Sequence, residues 1–297
     1  MTETAVTSGS RRFRVVVFEF PWALGPPDGR HAIREQLGEA PAHVLVLRTL
    51  DAPERRLLPR RRGRARTLQA PPDPPPAPVS TTRATLVDTT ALADEEAASS
   101  WLAAADLAAL ADDALARLNR VLHAQRIATA DPYAREVALE QALVVRVGFG
   151  DGKRASEGRW DHARELPRPA AGASRGRSAA LRPQERLAAL LAGRDVALAS
   201  EELTLRVRLD ADAGRLREAA LGLSGAFDAT LAELEPWREA ADLADRLAQL
   251  RERRDEVRAV AEVALQRGLE EAQIAVVESV LGRIEAALRA RVAGSQM

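Results

Sequence analysis

Ile274, Val277, Leu281, Ile284 and Leu288 step through the end of the chain at intervals of three and four. That spacing lines apolar side chains along one face of a helix, and such a face needs a second apolar surface to cover it. A matching stripe lies upstream: Leu243, Leu247, Leu250, Val257, Val260 and Ala264, with Glu, Asp and Arg filling the positions between. Gly268 separates the two stripes. It is expected to end the first helix in the left-handed conformation, and Glu270 and Glu271 then place acids in a new first turn. An antiparallel hairpin about Gly268 is the expected arrangement. One continuous rod of about 55 residues is the alternative, because glycine inside a helix costs only about 1 kcal/mol against alanine. The stripe is assigned to packing within the chain, with an intermolecular seam as the other option. Two to three heptads are too few for a long coiled coil.

With aromatic residues only 3 % of 297, the core has to be built from Ala, Leu and Val. Such side chains let helices approach closely but bury little area each. The length suffices for two domains. Formal net charge is zero but unevenly spread: residues 1–90 hold 14 arginines against 9 acids, residues 181–297 hold 17 against 21. Lys153 is the single lysine beside 42 arginines, a bias typical of GC-rich coding, so arginine content alone is weak evidence for nucleic-acid binding. No cysteine is present, which excludes disulfides, thiolate metal sites and cysteine nucleophiles. Met1 to Ser10 lacks the apolar core of a signal peptide, and no apolar run reaches the roughly 18 residues of a membrane span. A cytoplasmic location and no membrane partner are expected.

The N-terminal part reads as strands. Arg12–Phe20 (RFRVVVFEF), His43–Leu50 and Thr82–Thr89 are rich in β-branched residues and bounded by turn signals. Ala32–Leu37 reads as a short helix or loop. Asp94 caps a helix through Trp101, and an apolar stripe from Leu107 continues to about Ile127. Asp131-Pro132 opens another helix expected to reach Val147, although Leu143–Val147 is β-branched enough for a strand. Gly148 to Gly152 is expected to break the chain, followed by a short helix from Ser156 to Leu166. Further on, helices are expected from Pro183 to about Ala192, through Leu203–Leu209, and from Leu216 to Leu234.

The fold class expected is thus mostly α with a small α+β N-terminal part: a short antiparallel sheet, then helical hairpins or a bundle. The segments expected are a strand-containing head over 11–92 with an exposed, disordered Arg/Pro-rich loop at about 55–79, a helical segment over 94–166, a linker over 167–180, and a helical bundle over 181–292. Within the last, Gly214, Ala219, Leu223 and Ala226 resemble the turn glycine and small packing residues of a tetratricopeptide repeat. The resemblance spans some 30 residues and half the motif. Val207 stands where that repeat has a glycine, Pro236 arrives late, and no second copy follows at a 34-residue period. It implies a helical hairpin and assigns no binding residues.

Candidate chemistry is sparse. Gly148-Phe149-Gly150-Asp151-Gly152-Lys153 resembles a phosphate-cradling glycine loop. Its glycine spacing is too short, however, and Arg154 stands where such a loop has Ser or Thr, so it reads as a turn. His31, His43, His123 and His162 show no metal-ligand spacing. His123, Asp131 and Glu136 could meet only through the fold. No catalytic residue, cofactor or metal is implied. The strongest patch is basic: Arg55, Arg56, Arg60, Arg61, Arg62, Arg64 and Arg66 fall within twelve residues, followed by six prolines from Pro71 to Pro78. These guanidiniums suit phosphates or an acidic partner surface, but no aromatic residue is interleaved for base stacking. The leading functional expectation is a non-enzymatic helical interaction or scaffold protein, with a protein partner or self-association through the C-terminal helices. A nucleic-acid-associated protein using the arginine cluster is the alternative. An enzyme with a cleft unreadable from sequence is the third.

Overall fold

The segment RFRVVVFEF is the middle of an antiparallel sheet. A computed structural model describes residues 11–36, 38–50, 80–167, 183–239 and 243–294, and divides the chain into two compact units, Met1–Pro169 and Ala170–Met297. In the first unit, strands β1 (Arg12–Phe20), β2 (Gly29–Ile33), β3 (His43–Leu50), β4 (Thr81–Leu92), β5 (Val144–Asp151) and β6 (His162–Glu165) take the order β2-β3-β4-β1-β5-β6. The sheet is therefore larger than the short one expected. Being flanked on both sides and covered on both faces, β1 uses a continuous apolar run instead of simple alternation.

Helices α1 (Glu95–Ala104) and α2 (Leu107–Thr129) cover one face. Asp94 caps α1 by accepting from the Ala97 N–H, and Asp106 caps α2 by accepting from those of Ala108 and Ala109. Under them Phe18, Phe20, Leu45, Leu47, Leu86, Ala114 and Leu118 form one buried cluster, and Ala98, Leu102, Val147 and Phe149 another. The opposite face carries a thinner layer of Val15, Val17, Val46 and Val87, closed by the short helix α3 (Gly152–Ser156) and Trp160.

Four local expectations are corrected. Gly29–Ile33 is a strand pairing with β3, so Ala32 and Ile33 belong to an edge of the sheet, and only residues 34–36 keep the loop expected over Ala32–Leu37. The helix expected from Asp131 to Val147 does not form. Asn119 on α2 holds that stretch extended, its side chain donating to the Val137 carbonyl at 2.8 Å and accepting from the Val137 N–H at 2.9 Å. After a 3-10 turn at Leu139–Gln141, the β-branched residues enter β5. Gly148 and Gly150 do not break the chain but lie within that strand, and residues 162–165 form β6 instead of continuing a helix.

The glycines are needed because backbone crosses them closely. A Cβ on Gly148 would lie 2.1 Å from the His162 carbonyl oxygen and 2.7 Å from Ala163. Gly148→Ala is therefore expected to cost roughly 1–3 kcal/mol, as overpacking does, and to release β6 selectively. Hydrogen exchange should show faster exchange at His162–Glu165, with β3 and β4 unaffected. Unchanged protection of β6 would refute this reading.

The second unit is helical: α4 (Pro183–Leu191), α5 (Ala199–Asp212), α6 (Leu216–Leu234), α7 (Leu243–Glu252), α8 (Arg254–Gln266) and α9 (Glu271–Gly294). Helices α5 and α6 form the expected hairpin, turning at Gly214 with φ +73°. The stretch from Pro236 to Arg267 is interrupted: Glu235–Trp237 is a 3-10 turn, and α7 and α8 meet at Arg253. One rod through Gly268 is excluded, since residues 267–270 lie outside both flanking helices. Gly268 is not left-handed, however. Helix α8 ends because Arg267 turns to extended backbone, φ −153°. Helix α9 packs against α5, α6, α7 and α8, so more than one stripe is buried: Val277, Val280, Leu281, Ile284, Ala287 and Leu288 are all inside. Ile274 is only half-buried.

Among the described residues of this unit one charge is buried. Arg291 on α9 is 2 % exposed, and its guanidinium donates to Asp195 at 2.7 Å and stacks over Trp237 at 5.0 Å. Arg186 on α4 reaches both Asp195 and Glu201, joining the start of the unit to its last helix. Burial raises the Asp195 carboxyl pKa. The Val196 N–H and Arg291 outweigh that and hold it below its ordinary value.

Candidate functional site

Two features of the first unit place charge where the fold does not require it. The first is the thinly covered sheet face. Register puts Arg30, Arg48, Arg83 and Arg146 there, on β2, β3, β4 and β5, together with Glu19 of β1 and Glu165 of β6. Arg83 donates twice to one Glu19 oxygen, at 3.0 and 2.8 Å, and Arg146 lies 3.7 Å from that oxygen and 3.0 Å from Glu165. Both guanidiniums stack over Trp160, at 5.2 and 5.8 Å. Arg48 is the direct cross-strand partner of Arg83, and Arg48 and Arg30 are exposed. Like charges directly opposite each other destabilise a strand pair; Glu19 offsets Arg83, and Arg48 has no partner among the contacts described.

The second feature is a cavity of about 160 Å3 on the opposite face, between β1, β3 and β4 and helices α1 and α2. Arg14, His43, Asp88, Trp101, Asp113 and Arg117 line it. His43 and Asp88 are cross-strand partners, and Arg14 donates to Asp88 at 3.0 Å while stacking over Trp101 at 5.4 Å. Arg117 donates to the Asp113 carbonyl at 2.9 Å, and its guanidinium is 3.4 Å from the Asp113 carboxylate. Burial, then the positive field of Arg117, pushes the His43 pKa below its ordinary value. Asp88 and Glu35 oppose that shift, and Arg120 adds to it.

The remaining histidines are apart. His31 contacts the Pro27 carbonyl, His162 lies 3.4 Å from Glu95, and His123 lies 3.7 Å from Glu136. Asp131 does not join that last pair by any contact described; it accepts from the Tyr133 N–H. Among the described residues no three His, Asp or Glu side chains are grouped to hold a metal. The glycine-rich segment is no phosphate loop: Asp151 caps α3 by accepting from the Arg154 N–H. Arg55, Arg56, Arg60, Arg61, Arg62, Arg64 and Arg66 lie outside the described residues, as do the prolines after them and residues 168–182. No described helix is long and apolar enough to cross a membrane.

Compared with protein-family models, with curated proteins and with solved structures, the chain matches none of them. The sites therefore rest on geometry alone. Neither was named from sequence, because each depends on strand register: Arg48 meets Arg83, and His43 meets Asp88, only once β3 and β4 are aligned.

Proposed function

We propose that the chain is a non-enzymatic interaction protein, a helical scaffold unit joined to an α+β unit whose open sheet face takes an acidic surface of a protein partner. The observation that carries this reading is Arg48 set opposite Arg83 on that face, a cost that an incoming carboxylate would offset. Four guanidiniums against two carboxylates on the face support it further. A protein partner is favoured over nucleic acid because Trp160 is half-buried beneath Arg83 and Arg146, leaving no free ring there for base stacking.

Fluorescence anisotropy of the full chain with labelled poly-glutamate and with labelled single-stranded RNA tests this. Poly-glutamate should bind at low salt and weaken as salt rises. Arg30→Ala and Arg48→Ala should each weaken it about two- to fivefold, the scale of an exposed ion pair. RNA binding that is tighter and lost in the same variants would replace the protein partner with nucleic acid. Weakening only by Arg60→Ala, Arg61→Ala and Arg62→Ala together would move the contact off the sheet face. Binding of neither probe would remove the proposal.

A further inference from the structure

We propose that the cavity between the sheet and helices α1 and α2 is a binding site for a small oxyanion, a carboxylate or phosphate group, held between the guanidiniums of Arg14 and Arg117. This site is on the other sheet face from the arginine pair discussed above and does not depend on it.

The argument starts from what the two arginines leave unused. Arg14 commits Nη1 to Asp88, and Arg117 commits Nη1 to Asp113. The Nε atoms of both are buried and have no hydrogen-bond partner. The Nη2 atoms of both also have no hydrogen bond among the contacts described, so each guanidinium lining the cavity keeps donors for an acceptor. Guanidinium groups present their donors as a rigid planar fork that matches the paired oxygens of a carboxylate or phosphate. The rest of the lining suits such a guest. Trp101 fixes the Arg14 guanidinium by stacking beneath it, so its donors are pre-oriented.

Charge does not forbid entry. The Asp113 side chain is 73 % exposed, so the hold of its carboxylate on Arg117 is screened by water and weak. Asp88 is the better-held carboxylate, and Arg14 already neutralises it. Six charged groups surround His43: Arg117, Arg120 and Asp113 from α2, Glu35 from the β2–β3 connection at 4.0 Å, Asp88 from β4, and Arg14 from β1 across the cavity. Burial and Arg117 hold the His43 pKa below its ordinary value. An anion beside Arg117 offsets that positive field, so binding should carry proton uptake by His43. Affinity should then rise as pH falls through the histidine range.

The test uses the full chain and two probes, inorganic phosphate and acetate, titrated against chloride at constant ionic strength. The histidine ring protons are followed by NMR. Only four histidines exist, and His43→Gln assigns the relevant signal. We expect the His43 resonance to shift saturably with phosphate, acetate or both, its titration midpoint to rise when the probe is bound, and Arg117→Gln to weaken the effect at least tenfold. Asp113→Asn, at an exposed position, should instead tighten binding by removing a negative charge from beside Arg117, whose bond to the residue 113 backbone carbonyl is kept. A general loss of folding cannot produce that gain. If Arg117→Gln does not fold, Arg117→Lys keeps the charge without the fork and should still bind more weakly than the parent. A shift that is linear in salt, equal for chloride, or unchanged in both the Arg117 and Asp113 variants would overturn the site.

Discussion

Leu281→Ala lowers the stability of the helical unit by about 2–5 kcal/mol, the cost of removing a fully buried leucine and leaving a cavity. Leu281 is 0 % exposed and belongs to the same buried cluster as Leu247, Val257, Leu223 and Phe227. Those cluster members come from three surrounding helices, α6, α7 and α8, so none can move into the gap without losing its own contacts. Such a loss is a large share of the 5–15 kcal/mol typical of a domain. Glu262→Ala, at an exposed position on α8, changes stability by less than about 0.5 kcal/mol. Chemical denaturation of the two variants beside the parent measures the contrast. Equal midpoints for all three would mean that α9 is not the centre of the unit, and the stripe would then be free to serve a partner.

A second large effect is expected at Arg291. Arg291→Ala should cost about 3–5 kcal/mol, because it leaves Asp195 and Glu201 partly buried beside a single remaining arginine, Arg186. It also removes the stacking over Trp237. Arg291→Lys should recover part of the loss, since a point charge replaces the fork. The effect should persist in high salt, where exposed ion pairs would be screened. A loss under about 1 kcal/mol would show that this cluster behaves as an ordinary surface pair.

How far the sequence could be read follows from what each residue answers to. β1, β3 and β4 were legible because their composition favours strand independently of partners. β2 and β6 were not: Gly29–Ile33 and His162–Glu165 have little strand character, and a neighbouring strand supplies their order. Gly148 and Gly150 looked like breakers because glycine usually is one, whereas here it admits a crossing backbone. The helix from Asp131 was overruled by one asparagine on another helix. In the second unit, the α9 stripe was read too narrowly, since Val280 and Ala287 are also covered when four helices surround it. Arg291 gave no signal at all; an arginine in a last helical turn is usually solvated. The candidate sites were invisible for a related reason. Arg14, His43, Asp88 and Arg117 are widely spaced in sequence and meet only through register and helix docking.

The position of β1 has a consequence for how the chain is made. Its partner on one side is β4, but on the other it waits for β5, and Arg12 finds Asp161 only 149 positions later. Closing such long loops has to precede the contacts that reward it, so the sheet should form slowly, whereas the helical unit is built largely from neighbouring elements. During synthesis the segment Val15–Phe20, strongly β-forming and uncharged but for Glu19, would stand with an open edge until β5 has emerged. Arg11, Arg12 and Arg14 directly before it supply the charge that keeps such an edge from pairing with another nascent copy. The arginines at the head of the strand thus guard the chain before there is any fold to hold.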